Sequence, residues 1–266
     1  MKITIIGAGA MGGATAEGIL KSGILDTPSQ LCVADAMPQA LEHFKSQGVR
    51  TTTSNTEAVR EADIVMVVVK PWITETVISQ IRDSLDYSTQ QLIVIAAGIT
   101  ADNIASWLKK DTMPATLPFY LVIPNIAIAV LNSMTFIVPV GASAEQTAAI
   151  SGLFNKMGRS IVTEECLLAA GTTLASCGIA YAMRYIRASV EGGVELGFKA
   201  KDAETIVEQT VKGAVELLQA TQTHPESMID QVTTPGGVTI KGLNEMEHAG
   251  FTSAVIRGLK AGMGKS

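Results

Sequence analysis

The chain has 266 residues, a net charge of −5 at pH 7 and 17% charged residues. This length suffices for one large or two ordinary domains, and the acidic balance argues against nucleic acid as the main partner. Charges interrupt the apolar stretches before any reaches the span of about 20 residues that crosses a bilayer, and no signal-peptide pattern is found. We therefore expect a cytoplasmic protein without a membrane segment. Three cysteines and three histidines lack metal-ligand spacing, so we also expect no disulfide framework and no metal site.

Short apolar runs alternate with helical patterns up to about residue 160. The runs are 3–6, 31–34, 64–69, 92–96, 119–123 and 135–139. Such alternation is typical of βαβ units around a mostly parallel sheet. The run 64–69 is apolar at every position, which is typical of a central strand buried on both faces.

A glycine-rich segment follows the first run and leads into an Ala-rich helical segment. The pattern Gly7-x-Gly9-x-x-Gly12 in this context is the dinucleotide-binding fingerprint, in which the glycines allow a tight turn, approach of the pyrophosphate and close helix–strand packing. We therefore predict a Rossmann-type dinucleotide-binding domain over residues 1–160. The cofactor-binding residues predicted in this segment are Ile6, Gly7, Gly9, Ala10, Met11 and Gly12.

The second run ends in Asp35, near the spacing expected for the acid that binds the adenosine ribose. A carboxylate there accepts hydrogen bonds from the ribose hydroxyls and repels a 2′-phosphate. Residues 36–38 are Ala-Met-Pro and offer no cation in compensation. We therefore expect NADH to serve at least as well as NADPH. The alternative is that Asp35 turns outward into solvent and discriminates nothing.

Two further runs end at the edge of the sheet where open α/β folds bind their ligands. The third run leads into Lys70-Pro71, and the fourth ends in small residues that leave room for a flat ring. The cofactor-binding residues predicted at this edge are Val69, Lys70, Pro71, Ala96, Ala97 and Gly98.

The pattern changes after residue 160, and residues 161–266 are predicted to form a second, all-helical domain. Segments 165–195 and 202–221 indicate long helices rich in Ala, Gly and Leu, with no strand pattern between them.

A Pro-Gly-Gly turn near the end precedes another helical stripe. The backbone N–H groups of Gly236 and Gly237 lead into this helix N-terminus, an arrangement that suits a carboxylate. Hydroxyls of Thr233, Thr234 and Thr239 flank the turn. Taken alone, the segment is more simply interpreted as a helix-capping loop.

Taken together, these motifs resemble the pyrroline-5-carboxylate reductase family. The matching segments occur in family order over nearly the whole chain: Gly7-Ala8-Gly9-Ala10-Met11-Gly12, Asn55, Val69-Lys70-Pro71, Ala96-Ala97-Gly98, Pro124-Asn125 and Thr233-Thr234-Pro235-Gly236-Gly237-Val238-Thr239. The resemblance implies reduction of 1-pyrroline-5-carboxylate to L-proline by NADPH or NADH. It also implies a C-terminal helical domain that interlocks with a second chain in a homodimer, with larger rings in some members.

The resemblance also assigns roles to individual residues. Asn55 is expected to contact the cofactor, and Gly236, Gly237 and Thr234 to bind the substrate carboxylate. Thr239 is expected beside the ring nitrogen, where it binds substrate and relays or orients a proton, since a threonine is a poor acid. Thr172 is expected to face nicotinamide and substrate. Without the resemblance, a helix hydroxyl bonded to its own backbone is the simpler interpretation of Thr172.

Two segments depart from the family pattern. The family often has Arg-x-Met-Pro-Asn where this chain has residues 121–125 with Leu121 first, so a cation is missing. The family segment Ser-Gly-Ser-Gly-Pro-Ala-Tyr is here 175–181, with Ser176 at the first glycine and Ile179 at the proline. Two other functions therefore remain open, a reductase of a related cyclic imine and a non-catalytic dinucleotide-binding sensor.

Overall fold

The computed structural model describes residues 1–110 and 117–263. The chain divides into two compact units, Met1–Cys177 and Gly178–Ser266. The predicted domain border at residue 160 falls inside a strand of the first unit, Gly158–Val162.

The first unit is an α/β sheet structure. Its strands are β1 (Ile3–Ile6), β2 (Leu31–Ala34), β3 (Arg50–Thr52), β4 (Ile64–Val67), β5 (Gln91–Val94), β6 (Phe119–Ile123), β7 (Ser133–Val140) and β8 (Gly158–Val162). Its helices are α1 (Ala10–Lys21), α2 (Glu42–Ser46), α3 (Asn55–Ala58), α4 (Pro71–Ile81), α5 (Ala101–Leu108), α6 (Ala144–Asn155) and α7 (Leu168–Gly171). A π-helical segment, Thr172–Ser176, follows α7.

The strands form one sheet in the order β3-β2-β1-β4-β5-β6-β7-β8. Neighbours pair in parallel except β6 and β7, which are antiparallel. The order reverses beside β1, and open sheets of this kind bind ligands at the carboxyl ends of the strands near such a reversal. The predicted fold class, a Rossmann-type mostly parallel sheet followed by a helical part, is confirmed.

The strand boundaries differ from the prediction in places. The runs 64–69 and 92–96 extend beyond their strands, because their last residues leave the sheet to form the ligand-side loops. The sequence prediction missed β3 and β8. Both are at the sheet edges and carry polar residues, so neither has the continuous apolar run that marks a buried strand.

Both faces of the central strands are buried. Side chains alternate between two hydrophobic clusters, with Ile3 and Ile5 of β1 in one and Ile6 in the other. In β4, Met66 lies in the first cluster and Val67 in the second. This alternation follows from the period of two along a strand, and it explains the apolar runs that are not interrupted by polar residues.

The second unit consists of helices. They are α8 (Gly178–Glu195), α9 (Ala200–Thr221), α10 (Pro225–Val232), α11 (Val238–His248) and α12 (Phe251–Gly262). Helices α8 and α9 approach closely where Gly193 faces Ala203, since a Cβ at Gly193 would lie 3.0 Å from the Ala203 Cβ. Ala203 is the one buried residue among the described residues of these helices. Large apolar side chains elsewhere in the unit are exposed, including Leu196, Val238 and Ile256.

By length and composition alone, one helical stretch could span a membrane. An 18-residue window within Glu165–Glu195 has a mean hydropathy of 1.5, and 17% of that window is buried. The expectation that no stretch comes near such a span was therefore too strict. Leu and Ala residues raise the hydropathy here, although Arg184 and Arg187 also lie in this stretch.

Candidate active site

The glycine-rich loop between β1 and α1 has an open position between two tight ones. Gly7 has φ +106°, and a Cβ there would lie 2.2 Å from the Val68 carbonyl oxygen. A Cβ at Gly12 would lie 1.8 Å from the Gly7 oxygen, whereas a Cβ at Gly9 would meet nothing within 4 Å. Gly9 precedes α1 as its N-cap without a side-chain hydrogen bond. The loop therefore leaves free space at a helix N-terminus, which fits a dinucleotide pyrophosphate.

Asp35 turns toward this loop at the end of β2. Its Oδ2 accepts a hydrogen bond from the Ala8 N–H at 2.7 Å, and its Oδ1 accepts one from the Met37 N–H at 2.9 Å. The side chain is half-buried. The carboxylate is thus fixed beside the predicted pyrophosphate site instead of extending freely into solvent.

A cavity of about 180 Å³ opens at the carboxyl ends of β4, β5 and β6. Its lining residues are Met11, Val69, Pro71, Ile95, Ala96, Ala97, Ile123, Pro124, Thr172 and Ser176. None of these side chains is ionisable, and the alanines leave room for a flat ring. The cavity brings together five predicted cofactor residues, from the segments that follow β1, β4 and β5, with the predicted Thr172.

Other predicted cofactor residues do not line the cavity. The Lys70 Nζ lies 6.0 Å from the centroid of the Trp72 ring. The Asn55 amide nitrogen donates a hydrogen bond to Gln80 Oε1 at 3.0 Å. Gly98 has φ +79°, so its turn favours glycine. Ile6 is a buried strand residue and Ala10 begins α1.

Thr172 and Ser176 lie at the two ends of the π-helical segment. Such segments are rare within helices and are frequent at functional sites. The Thr172 hydroxyl donates to the Leu168 carbonyl oxygen at 2.7 Å. It therefore bonds its own backbone, as in the simpler interpretation, and also lines the cavity.

Four cavity residues, Ile95, Ile123, Pro124 and Ser176, were not predicted as site residues, although Pro124 lies in a segment that matches the family pattern. Ile95 lies in the run 92–96, and Ile123 ends β6 immediately before Pro124. Their position at the carboxyl ends of strands was the available signal. Ser176 could have been found only from its spacing of four residues after Thr172, which places two helix residues on one face.

In the second unit, Thr234 to Gly237 form a tight turn before α11. The Gly237 N–H donates to the Thr234 carbonyl oxygen at 2.9 Å, and Gly236 has φ +71°. Pro235 followed by a glycine with positive φ is the signature of a type II turn. The Gly237 N–H is therefore used by the turn. In contrast, helix geometry leaves the N–H groups of Val238 and Thr239, in the first turn of α11, without intrahelical acceptors.

Thr234 and Thr239 are both exposed. A Cβ at Gly237 would lie 2.4 Å from the Thr234 Oγ1, so only glycine allows this threonine side chain to keep its position. The loop thus has the free donors and hydroxyls that an anionic ligand requires. In the residues that the structure describes, no cluster of His, Cys, Asp and Glu forms a candidate metal site.

Comparison with known proteins identifies the family. A family model described as pyrroline-5-carboxylate reductase dimerisation matches residues 165–266, and one described as NADP oxidoreductase coenzyme F420-dependent matches residues 2–102. The pyrroline-5-carboxylate reductase of Methanosarcina acetivorans is 35% identical over 96% of this chain and 94% of its own length. The chain belongs to the pyrroline-5-carboxylate reductase family.

Two further comparisons agree with this assignment. Pyrroline-5-carboxylate reductase 1 of Dictyostelium discoideum is 37% identical over 97% of this chain, which spans 48% of that longer protein. A crystal structure of a pyrroline-5-carboxylate reductase from Coxiella burnetii matches with a TM-score of 0.86 at 27% identity, covering 98% of this chain and 96% of that one. The resemblance drawn from the motifs is confirmed.

The departures from the reductase family pattern lie in different surroundings. Leu121 is 3% exposed and packs in the second hydrophobic cluster, in the middle of β6. Leu121 is therefore a core residue and does not line the cavity. No charged side chain takes the place of the family's arginine among the described lining residues. Ile179 lies in the first turn of α8, which is regular helix from Gly178. An isoleucine in place of the family's proline leaves a backbone N–H at this position of the helix.

Proposed function

We propose that this chain reduces 1-pyrroline-5-carboxylate to L-proline with a nicotinamide dinucleotide as the hydride donor. The observation that carries this proposal is the ring-sized cavity beside the glycine-rich loop, in a chain that belongs to the reductase family. The space at Gly9 and the apolar lining fit the pyrophosphate and the nicotinamide ring of such a cofactor. When bound, this cofactor supplies the hydride that reduces the imine carbon.

In this proposal the first unit positions the cofactor. The N-terminus of α1 and Gly9 bind the pyrophosphate, and Asp35 binds the adenosine ribose. Val69, Ala96 and the other apolar cavity residues hold the ring and exclude water. Their contribution to rate is therefore orientation and a water-poor surrounding. Lys70, Asn55 and Gly98 remain proposed cofactor residues on the strength of the family motifs.

The turn before α11 is proposed to bind the substrate carboxylate. Thr234 and Gly236 keep the roles that the family motif implies. Because the Gly237 N–H is occupied within the turn, we assign the remaining donors to the first-turn N–H groups of Val238 and Thr239. Gly237 then acts by leaving space for the Thr234 side chain.

The proton on the substrate nitrogen has no obvious source in the cavity. No ionisable side chain lines it, and a threonine hydroxyl is a poor acid at neutral pH. The substrate is therefore proposed to bind as the protonated iminium, with Thr239 hydrogen-bonded to its nitrogen.

The Thr239→Ala variant tests this role. Turnover at saturating substrate should fall by about tenfold or more, because one hydrogen bond to the reacting group is lost, while NADH affinity stays unchanged. Steady-state kinetics and a cofactor titration measure the two effects. Thr233→Ala is the matched control, since the Thr233 hydroxyl is bonded to the Asp230 carbonyl oxygen. Unchanged turnover in Thr239→Ala would remove this residue from the mechanism.

The activity itself is tested by following NADH and NADPH oxidation with pyrroline-5-carboxylate and with its six-membered homologue. Turnover of the five-membered imine is the expected result. A preference for the six-membered ring would instead identify a reductase of a related cyclic imine. Cofactor binding without oxidation of either imine would identify a non-catalytic sensor.

The second unit is proposed to form an intertwined homodimer. Assembly of such dimers into a larger ring is also proposed. The apolar side chains that it exposes need a partner, and the dimerisation model matches this region. We also propose a cytoplasmic location, in keeping with three free cysteines among the described residues, Cys32, Cys166 and Cys177. Neither a nucleic acid nor a membrane is proposed as a partner.

A further inference from the structure

Two hydroxyls supply the polar side chains of the described cavity lining. Thr172 and Ser176 lie four residues apart on the π-helical segment, and both line the cavity. The remaining lining side chains are hydrocarbon or thioether groups. Any polar group on a ring bound in this cavity therefore has these two hydroxyls as its side-chain partners.

The two hydroxyls differ in what they can offer. The Thr172 hydrogen is donated to the Leu168 carbonyl oxygen at 2.7 Å, so its oxygen presents only lone pairs to the cavity. Within the described residues, Ser176 makes no side-chain hydrogen bond. Its hydroxyl is free to donate. The cavity therefore pairs one acceptor with one donor.

The backbone next to Ser176 accepts a hydrogen bond from the Asn125 side chain. The Asn125 side-chain nitrogen donates to the Ala175 carbonyl oxygen at 3.4 Å, and its Oδ1 accepts from the Ala127 N–H at 3.0 Å. Asn125 is 4% exposed. The residue before Ser176 is thus hydrogen-bonded to a buried side chain of the first unit without any ligand.

From this pairing we infer that Ser176 and Thr172 together recognise the carboxamide of the nicotinamide ring, an inference that rests on the proposed function. A primary carboxamide has one carbonyl acceptor and one NH₂ donor group. Ser176 donates to the carbonyl oxygen, and the Thr172 oxygen accepts from the amide N–H. The two hydrogen bonds fix the orientation of the nicotinamide ring about its bond to the ribose. They thereby determine which face of the ring transfers hydride to the substrate. The family segment has glycine at the position of Ser176, so this contact distinguishes the chain from the family pattern.

Calorimetric binding of two ligands tests the role of Ser176. NADH carries the nicotinamide ring, whereas ADP-ribose has the same adenosine and diphosphate without it. Ser176→Ala should weaken NADH binding by about 3- to 10-fold, the effect of one neutral hydrogen bond, and leave ADP-ribose binding unchanged. Ser176→Thr keeps a hydroxyl donor and should therefore bind NADH as tightly as the unaltered protein does. Cys177→Ala, which alters the next residue outside the cavity lining, should change neither.

A reduced cofactor analogue with a methyl ketone in place of the carboxamide assigns the two hydroxyls separately. This analogue keeps the carbonyl oxygen and lacks the NH₂ group. Ser176→Ala should weaken its binding by the same factor as it weakens NADH binding. Thr172→Val should weaken NADH binding and leave the analogue unaffected.

Two results would overturn the inference. One is NADH affinity that does not change in Ser176→Ala, and the other is an equal loss for ADP-ribose, which would indicate a general effect on the fold. These outcomes are distinct from failure of the proposed function. A chain that binds NADH in this Ser176-dependent way but does not reduce pyrroline-5-carboxylate would contradict the activity alone, and a chain that reduces it without dependence on Ser176 would contradict the carboxamide contact alone.

Discussion

The Asp35 carboxylate accepts two backbone hydrogen bonds, from Ala8 at 2.7 Å and from Met37 at 2.9 Å. These bonds hold its negative charge at the end of β2 beside the glycine-rich loop. Ribose hydroxyls can still donate to the remaining lone pairs of its oxygens. A 2′-phosphate at the same place meets like charge, and residues 36–38 carry no cation to offset it.

We therefore predict that Asp35→Ser shifts cofactor choice toward NADPH. The ratio of kcat/KM for NADPH to that for NADH should rise about tenfold or more, which corresponds to about 1.4 kcal/mol of relieved repulsion. Asp35→Asn is the matched control for shape, since it keeps an acceptor for the Ala8 N–H and removes the charge. It should shift the ratio in the same direction.

Kinetics of the unaltered protein with each cofactor provide the decisive comparison. A strong preference for NADPH that persists in Asp35→Ser would show that this carboxylate does not select the cofactor.

Some residue positions could be predicted because a short, recognisable spacing of glycines marks them. The tight turn at Gly7, the open space at Gly9 and the close packing at Gly12 all follow from the spacing of the glycines. The use of the Gly237 N–H within the turn was missed, although the Pro235-Gly236 pair is the sequence signature of a type II turn. The π-helical segment cannot be predicted from the sequence, and the spacing of Ser176 from Thr172 was the one signal for its position in the cavity.

At the scale of elements, the π-helical segment Thr172–Ser176 depends on a buried polar side chain for its position. Asn125 bonds the Ala175 carbonyl and the Ala127 N–H, and its own backbone N–H donates to Ser133 Oγ at 3.1 Å. All three bonds join residues of the first unit. The end of β6 and the π-helical segment are therefore fixed to each other.

Asn125→Ala should lower the free energy of unfolding by about 1–3 kcal/mol, because it removes two side-chain hydrogen bonds and leaves two partly buried backbone groups without these partners. It should also weaken NADH binding more than ADP-ribose binding, since Ser176 loses its fixed position. Asn132→Ala is the control, because the exposed Asn132 amide bonds only the nearby Val130 carbonyl oxygen. Its effect should stay within about 0.5 kcal/mol. Chemical denaturation and calorimetry measure both quantities, and equal stability of the two variants would contradict the assigned role of Asn125.

Among the strands, the buried ones could be predicted from the sequence and the edge ones could not. The buried strands β1, β2 and β6 could be placed to the residue, because strands covered on both faces are almost entirely apolar. The edge strand β3 has the sequence Arg-Thr-Thr, and β8 has exposed Ile161 and Val162. Edge strands need no such apolar run, so their sequences resemble loops.

At the scale of the whole molecule, the second unit buries little apolar surface within a single chain. Ala203 is its one buried residue in the part of the chain that the structure describes. Small residues such as Gly193 allow close helix contact but contribute little buried area. Exposed apolar surface on this scale marks an interaction site, and the dimerisation model that matches residues 165–266 indicates a second copy as the partner.

We predict that the protein is a dimer or a multiple of a dimer at micromolar concentration, and that a charge on an exposed apolar helix face disrupts it. Val255→Asp in α12 is the test, since Val255 is a large apolar side chain that is half exposed. Ser253→Asp is the matched control. It introduces the same charge two residues away, on the opposite side of the helix.

Light scattering should show the control at the mass of the unaltered protein and Val255→Asp as monomer or unfolded chain with lost activity. The unaltered protein as a stable, active monomer would defeat the prediction, because the exposed side chains of α8 to α12 would then need no partner.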